Sequence, residues 1–189
     1  MALLNELNNN GLTNEDCGCD NNFYSVINES PLLSGVQENS FNKSLSIDGD
    51  KSLSIRWALL SSQSQKKCKA SNLLVSADVI STLDCLKKLG VKIKIKKNFC
   101  EIIGLGLNGF KYKNNLVLDA GNSGTLGRLI MGLLIHSKKS VKLKGDKSLS
   151  KRDFSRVTVP LSKFGANLKS NSGKLPVLIK GTSNPKPIK

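Results

Sequence analysis

An octapeptide that occurs twice in the chain brings together residue types that can bind an anion. GDKSLSIR occupies positions 49–56 and GDKSLSKR occupies positions 145–152, so the two copies differ only where Ile55 stands in the first and Lys151 in the second. Each copy directly follows a predicted strand. Near-identity over such a separation indicates a repeated unit of structure.

The first copy predicts a phosphate site at the start of a helix. Ser52 or Ser54 can cap that helix, whose free N–H groups and positive dipole end stabilise an anion. Lys51 adds a point charge, and Arg56 adds a rigid fork that suits carboxylate or phosphate. The alternative is a capped helix with two solvated cations, and the sequence leaves it open.

A second candidate site joins an apolar strand to an amphipathic helix through small residues. Its members are Asn122, Ser123, Gly124 and Thr125, and Arg128 follows one helical turn later. Small residues let the backbone approach a ligand, and the polar side chains can form hydrogen bonds to it. A tight structural turn would explain the glycines equally well.

Arg152, at the end of the second octapeptide, is the third candidate. Only four of the 29 basic residues are arginines, and Arg56, Arg128 and Arg152 all lie in these motifs.

The run GLGLNG at 104–109 matches a dinucleotide-binding pattern, but no apolar-striped helix follows it, so we expect a loop between strands. Metal binding is not expected, because the CGC spacing at 17–19 is too short and the chain has a single histidine.

Helices and strands that could position these residues follow from apolar periodicity. Val79, Leu83 and Leu86 form a helical stripe between a capping Ser76 and a terminating Gly90. The other predicted elements are strands at 44–47, 91–95, 141–144 and 175–180, a helix from Leu126 to Leu134, and a short helix from Val157 to Phe164 with Pro160 in its first turn. Helices and strands alternate, so the fold class is α/β or α+β.

Charge divides the chain into two parts. Residues 1–40 contain six acids and no Lys or Arg, which predicts an acidic, Asn-rich, mostly irregular extension. Residues 41–189 hold the other 8 acids and all 29 basic residues, a net +21, and form the predicted folded part. This balance favours an anionic partner, although compositional drift toward Lys would give the same charge.

Composition narrows the choice of partner and compartment. The apolar stretch at 129–135 is too short to cross a membrane. The anionic partners that the charge allows are nucleic acid, a membrane surface and phosphorylated small molecules, and the 5% aromatic content argues against nucleic acid. An odd number of cysteines, with no charged-then-apolar leader before them, predicts a reducing compartment such as the cytoplasm.

Four motifs in order resemble 5-enolpyruvylshikimate-3-phosphate (EPSP) synthase over residues 41–189. They are GDKSLSxR, SADVISTLDCLKKLGV, LDAGNSGTLGRLIMGLL and GDKSLSKR. The related UDP-N-acetylglucosamine enolpyruvyl transferase usually has Asn where this chain has Ser52, so it is the less favoured alternative. The resemblance implies the enolpyruvyl transferase inverse-barrel fold, with three βαβαββ units in each of two lobes, and about two such units in this chain.

The resemblance also implies a reaction and a set of roles. The family transfers the enolpyruvyl group of phosphoenolpyruvate to the 5-hydroxyl of shikimate 3-phosphate by addition and elimination, without metal or organic cofactor. Lys51 and Arg152 would be catalytic, and Lys51 would contact both substrates. Ser52 and Arg56 would bind shikimate 3-phosphate, Asn122, Gly124 and Arg152 would bind phosphoenolpyruvate, and Ser123, Thr125 and Arg128 would support them.

The chain departs from the family in extent and at single positions. Asp48, Ile55 and Asp153 stand where the family usually has Pro, His and Pro. The family's second lobe has no counterpart here, so we expect little or no turnover from these residues alone. The alternatives are a non-catalytic basic lobe that binds anions or nucleic acid, or one half of a split enzyme that pairs with a complementary C-terminal half.

Overall fold

The computed structural model describes residues 47–187, which form four α-helices and seven strands. The helices are α1 (Lys51–Ser61), α2 (Ala77–Lys88), α3 (Gly124–Leu133) and α4 (Ser155–Lys163). The strands are β1 (Lys67–Ala70), β2 (Lys92–Lys96), β3 (Phe99–Ile103), β4 (Leu116–Asp119), β5 (Val141–Lys144), β6 (Asn167–Asn171) and β7 (Lys174–Lys180). A 3₁₀ turn at Leu149–Lys151 precedes α4.

The described residues contain one complete βαβαββ unit and most of another. In the complete unit the strand order is β4-β5-β7-β6, with β4 parallel to β5 and the other pairs antiparallel. The preceding sheet has the order β1-β3-β2, all antiparallel, which repeats the order β5-β7-β6. The predicted fold class and internal repeat are therefore confirmed. The strand expected at 44–47 lies outside the described residues except for Ile47, as does the predicted extension at 1–40, whose boundary stays a prediction.

Local sequence determines where the two central helices begin. Ser76 precedes α2 and accepts a hydrogen bond from the Val79 N–H, and Gly90 follows the helix with a φ of +94°. Ser123 caps α3 in the same way by accepting from the Leu126 N–H at 3.3 Å. A left-handed φ is adopted readily by glycine, so Gly90 suits the end of α2. The segment 104–109 is a loop between β3 and β4, as expected.

The start of α4 differs from the prediction. Pro160 was expected in the first turn, but the helix begins at Ser155 and Pro160 lies in its interior. Asp153 explains the earlier start, because its carboxylate accepts hydrogen bonds from the Ser155 N–H at 2.8 Å and the Ser155 hydroxyl at 2.6 Å. Phe154 adds a second anchor, since it is fully buried and its carbonyl accepts from the Thr158 N–H.

One apolar core contains side chains from both sheets and from the helices, including the fully buried Leu86, Ile102, Ile130 and Leu143. The opposite sheet faces carry all ten lysines of the described strands. They are Lys67, Lys69, Lys92, Lys94 and Lys96 on the first sheet and Lys142, Lys144, Lys169, Lys174 and Lys180 on the second. The strand lysines therefore lie outside the core, away from its apolar side chains.

Adjacent residues of β3 allow a test of this layering. Ile102 is fully buried in the core, whereas Ile103 is 38% exposed on the lysine-bearing face. We expect Ile102→Ala to lower the free energy of unfolding by about 2–5 kcal/mol, because it removes buried methyl groups and leaves a cavity. Urea titration followed by circular dichroism measures this loss.

Ile103→Ala is the matched control, with the same chemical change on the same strand. We expect it to cost well under half as much as Ile102→Ala. Equal losses for the two variants would contradict the assignment of the buried face.

Candidate anion-binding site

The first octapeptide begins α1, but its cap is not the residue that the sequence suggested. Asp50, rather than Ser52 or Ser54, caps the helix, and its Oδ1 accepts from the Leu53 N–H at 2.7 Å. Ser54 is buried, donates to the Asp50 carbonyl at 2.7 Å and accepts from the Leu74 N–H at 3.1 Å. The helix begins at Lys51, so Asp50 occupies the capping position and both serines lie inside the helix, which explains the correction.

Lys51 has a partner that the sequence did not reveal. Its Nζ lies 3.3 Å from Asp78 Oδ2, in the first turn of α2. The Lys51 side chain stays 53% exposed, so this ion pair orients the ammonium group without removing it from solvent. Asp78 fits an ordinary helix-start pattern, and nothing in the spacing of the two residues indicated their contact.

Asn122 and Arg152 are brought together by the loops that follow β4 and β5. Arg152 Nη2 donates to Asn122 Oδ1 at 3.3 Å, and Asn122 Nδ2 donates to Asp146 Oδ2 at 2.7 Å. The two loops are also joined through the backbone, because the Asp146 N–H donates to the Gly121 carbonyl at 2.8 Å. Gly121 has a φ of +55°, a conformation that glycine adopts without strain.

Gly124 lies between two guanidinium groups. A methyl group at this position would lie 2.8 Å from Arg128 Nη1 and 3.2 Å from Arg152 Nη1. The Arg128 guanidinium donates to the Gly124 carbonyl and the Asp153 carbonyl, both at 3.2 Å. It also lies over the Phe154 ring, 4.9 Å from the ring centroid, so its position is fixed. Two planar forks converging on one small residue form a site suited to phosphate or carboxylate.

The remaining predicted residues have different positions. Ser123 is buried as the cap of α3, and Thr125 is half-buried in the first turn of that helix. Ser52 is half-buried and Arg56 is exposed on α1. The described contacts join Asn122, Gly124, Arg128 and Arg152 into one cluster. Lys51, Ser52 and Arg56 lie on α1, and no hydrogen bond or ion pair within residues 47–187 joins them to this cluster.

The second octapeptide repeats the start of the first and then diverges. Asp146 Oδ1 accepts from the Leu149 N–H at 2.6 Å, as Asp50 does from Leu53, and the Ser150 N–H donates to the Asp146 carbonyl at 2.9 Å. The chain then leaves the 3₁₀ turn at Arg152 instead of continuing as an α-helix. This early end places Arg152 beside the loop that carries Asn122.

Two carboxylates near Arg152 stay charged at neutral pH. The Leu149 N–H is the main cause that lowers the pKa of Asp146, and the Ser155 hydroxyl is the main cause that lowers the pKa of Asp153. Asp153 follows Arg152 directly, but its carboxylate is bound by Ser155. The guanidinium of Arg152 therefore keeps its hydrogen-bonding edge for Asn122 and for a ligand.

A cleft of about 510 Å³, also lined by Asp146, lies between α2 and the ends of β4 and β5. It is lined by three carboxylates, from Asp84, Asp119 and Asp146, and by two lysines, Lys88 and Lys144, of which Lys144 is paired with Asp119 at 2.9 Å. Burial raises the pKa of the Cys85 thiol to about 11, so this group stays protonated and is a poor nucleophile at neutral pH. The acids make this cleft less suitable for a multiply charged anion than the arginine cluster.

Residues 47–187 contain no group of three or more His, Cys, Asp or Glu placed to hold a metal. In the same part of the chain, no helix has the length and apolar content needed to cross a membrane.

Comparisons with known proteins agree on one family. The family model for EPSP synthase (3-phosphoshikimate 1-carboxyvinyltransferase) matches residues 36–189. The 3-phosphoshikimate 1-carboxyvinyltransferase of Ruthia magnifica is 47% identical over 143 residues, which are 76% of this chain and 33% of the relative. That of Streptococcus agalactiae is 40% identical over 152 residues, 79% of this chain and 35% of the relative.

Solved structures give the same result. Two EPSP synthase structures from Acinetobacter baumannii match with TM-scores of 0.68 and 0.71, at 34% and 33% identity. They cover 72% and 77% of this chain, which in turn covers 31% and 33% of theirs. The chain therefore spans about a third of the length of the relatives it matches.

Gly124 offers a test of the arginine cluster. We expect Gly124→Ala to weaken binding of inorganic phosphate at least several-fold, because the added methyl group displaces both guanidinium groups. The free energy of unfolding should change by less than about 1 kcal/mol, since only the ends of flexible side chains must move. Chemical-shift titration with phosphate and urea denaturation measure the two effects.

Gly132→Ala is the control on the same helix, where a methyl group would meet no atom within 4 Å. We expect it to leave phosphate binding unchanged and to stabilise α3 by about 0.5–1 kcal/mol. Equal phosphate affinity in the Gly124→Ala and Gly132→Ala variants would exclude the cluster as the binding site.

Proposed function

Because this chain belongs to the EPSP synthase family, we propose that it supplies part of the active site of an enolpyruvyl transferase. The complete enzyme would transfer the enolpyruvyl group of phosphoenolpyruvate to the 5-hydroxyl of shikimate 3-phosphate, with release of phosphate. The observation that carries the proposal is the pair of guanidinium groups around Gly124, of which that of Arg152 is held by Asn122 and that of Arg128 by the Gly124 and Asp153 carbonyls.

The arginine cluster fits the chemistry of phosphoenolpyruvate, which carries a phosphate and a carboxylate. In the addition step the 5-hydroxyl group loses its proton and its oxygen bonds to C2 of the enol, while C3 gains a proton. In the elimination step the bond from C2 to the phosphate oxygen breaks and C3 loses a proton. Negative charge moves onto the departing phosphate, so fixed guanidinium donors and the ammonium of Lys51 stabilise it where it develops.

Lys51 is proposed to contact both substrates, with Ser52 and Arg56 binding shikimate 3-phosphate and Asn122, Gly124 and Arg152 binding phosphoenolpyruvate. The pairing of Lys51 with Asp78 supports this role, because it holds a half-exposed ammonium group at the start of α1. Asp78 thus joins the proposed site as the residue that orients Lys51. No metal or organic cofactor is proposed.

The rest of the site is proposed to come from a complementary polypeptide that docks on α1, either covalently continuous with this chain or separate. The outward stripe of α1 is apolar, with Leu53 66% and Leu60 69% exposed and Trp57 half-buried between them. Arg56 lies on the same side of the helix. A helix with apolar residues on both faces is typically buried on both, so this stripe supports a partner surface beside the substrate residues.

The comparisons name the shikimate enzyme, which favours it over the UDP-N-acetylglucosamine enzyme as the family member that this chain belongs with.

A cytoplasmic location is proposed because Cys68, Cys85 and Cys100 are buried free thiols, which suit a reducing compartment.

A second candidate function is anion binding without catalysis. The lysines on the outer faces of the two sheets favour it, because they form an extended basic surface separate from the arginine cluster. Nucleic acid bound to that surface would dissociate as the salt concentration rises, but its affinity would not depend on the Lys51 side chain.

Lys51 discriminates between the two functions. We expect Lys51→Ala to weaken shikimate 3-phosphate binding by at least about tenfold, the loss typical of a charge-assisted hydrogen bond. Isothermal calorimetry at low and high salt measures the affinity, and binding should weaken as salt rises. Lys92→Ala removes an outer-face lysine and should leave the affinity within twofold. If the two variants lose affinity equally, the outer-face surface is the anion site.

The α1 stripe tests the partner proposal. The probe is the part of the Acinetobacter baumannii EPSP synthase that lies beyond its match to this chain. We expect the double variant Leu53→Ser and Leu60→Ser to keep its circular dichroism spectrum and lose association with that polypeptide in analytical ultracentrifugation. Leu107→Ser, at an 80% exposed leucine in a loop, is the control and should associate like the unsubstituted chain. Association that survives in the double variant would place the partner elsewhere.

A further inference from the structure

The two carboxylate oxygens of Asp146 have different partners. Oδ1 accepts from the Leu149 N–H at 2.6 Å, and Oδ2 accepts from Asn122 Nδ2 at 2.7 Å. The backbone N–H of the same residue donates to the Gly121 carbonyl at 2.8 Å. Asp146 therefore links its own turn to the neighbouring loop through both its side chain and its backbone.

Comparison of the two octapeptides separates the capping bond of the aspartate from its bond to an asparagine. In the first octapeptide Asp50 makes the equivalent bond to the Leu53 N–H at 2.7 Å, and within residues 47–187 no asparagine side chain is hydrogen-bonded to its second oxygen. Capping alone therefore accounts for the aspartate in the first copy. In the second copy the same residue type has gained the contact to Asn122, which in turn accepts from Arg152.

The charge of Asp146 needs an explanation beyond capping. Asparagine caps helices about as well as aspartate, and a carboxylate near a site for anions repels the ligand. What the carboxylate adds is that it can only accept hydrogen bonds. An amide side chain has one accepting and one donating end, so a neighbour that only accepts fixes which end faces it.

We propose that Asp146 is a positioning residue for the phosphoenolpyruvate half of the site. It holds the Asn122 amide with Nδ2 toward itself, and so directs Oδ1 toward Arg152. With the amide reversed, the NH₂ group would face the guanidinium, which has donors only, and the contact would be lost. The identity of the ligand as phosphoenolpyruvate rests on the proposed function, whereas the orientation of Asn122 rests on the contacts alone.

The Asp146→Asn variant tests this role while keeping the turn. The side-chain carbonyl of the new residue can still accept from the Leu149 N–H, but its NH₂ group then faces the NH₂ group of Asn122. We expect the Asn122 amide to reverse and Arg152 to lose its acceptor. The readouts are the ¹⁵N-edited resonances of the Asn122 side-chain NH₂ and the Arg152 guanidinium, followed by titration with phosphoenolpyruvate.

We expect both sets of resonances to shift in Asp146→Asn and the phosphoenolpyruvate affinity to fall about tenfold, the loss typical of one charge-assisted hydrogen bond. Asp50→Asn is the matched control, because it makes the same change at a cap without an asparagine partner. It should leave the Asn122 and Arg152 resonances in place.

The double variant Asp146→Asn with Asn122→Asp exchanges the pair. The amide at 146 can then donate to the carboxylate at 122, whose other oxygen accepts from Arg152. We expect it to return the Arg152 resonances toward their original positions, which a role limited to capping would not produce.

Unchanged Asn122 and Arg152 resonances in folded Asp146→Asn would overturn the positioning role, as would a failure of the exchanged pair to restore Arg152. These resonances decide the proposal without any substrate. Absence of phosphoenolpyruvate binding by the unsubstituted chain, with the resonance shifts as expected, would contradict the proposed function and leave the positioning role supported.

Discussion

The parallel pairing of β4 with β5 is the constraint on which the arginine cluster depends. Asp119 lies opposite Lys144 in this register, so both strands end at the same edge of the sheet. The loop with Asn122 and the second octapeptide therefore leave the sheet side by side. The ion pair between Asp119 and Lys144 and the backbone bond from Asp146 to Gly121 hold the two loops together. A one-residue slip of this register would separate the groups that converge on Gly124.

The repeated octapeptide was the most informative feature of the sequence, because the turn and the helix cap that it forms depend on residues close together in the chain. A capping serine and a terminating glycine predicted the bounds of α2, an apolar stripe predicted α3, and alternating lysines predicted β2 and β5. The octapeptides indicated a repeated unit, and both copies begin the same turn. The convergence of Asn122 with Arg152 could be expected because each follows a strand of one βαβ unit, where the carboxyl ends of parallel strands lie together.

What the sequence did not reveal depends on contacts between distant segments. The pairing of Lys51 with Asp78 needs α1 and α2 to pack side by side, and neither residue departs from an ordinary helix start. The cap of α1 was assigned to serine because serine and aspartate both cap helices, and only the observed start of the helix at Lys51 shows which residue does so. Pro160 was placed too early because Asp153 and Phe154 anchor the start of α4, and burial of Phe154 is a property of the packed core.

The chain uses its two kinds of basic residue differently. Ten lysines lie on the outer faces of the sheets, where their flexible ammonium groups stay strongly hydrated. The arginines at 128 and 152 are held by carbonyl, amide and aromatic groups. A fixed guanidinium can meet an anion without reorganising, so the cluster suits a reaction in which charge develops on phosphate. The apolar outer stripe of α1 lies on the helix that carries Lys51, so a partner that covered this stripe would also exclude water from Lys51 and strengthen its electrostatic effect.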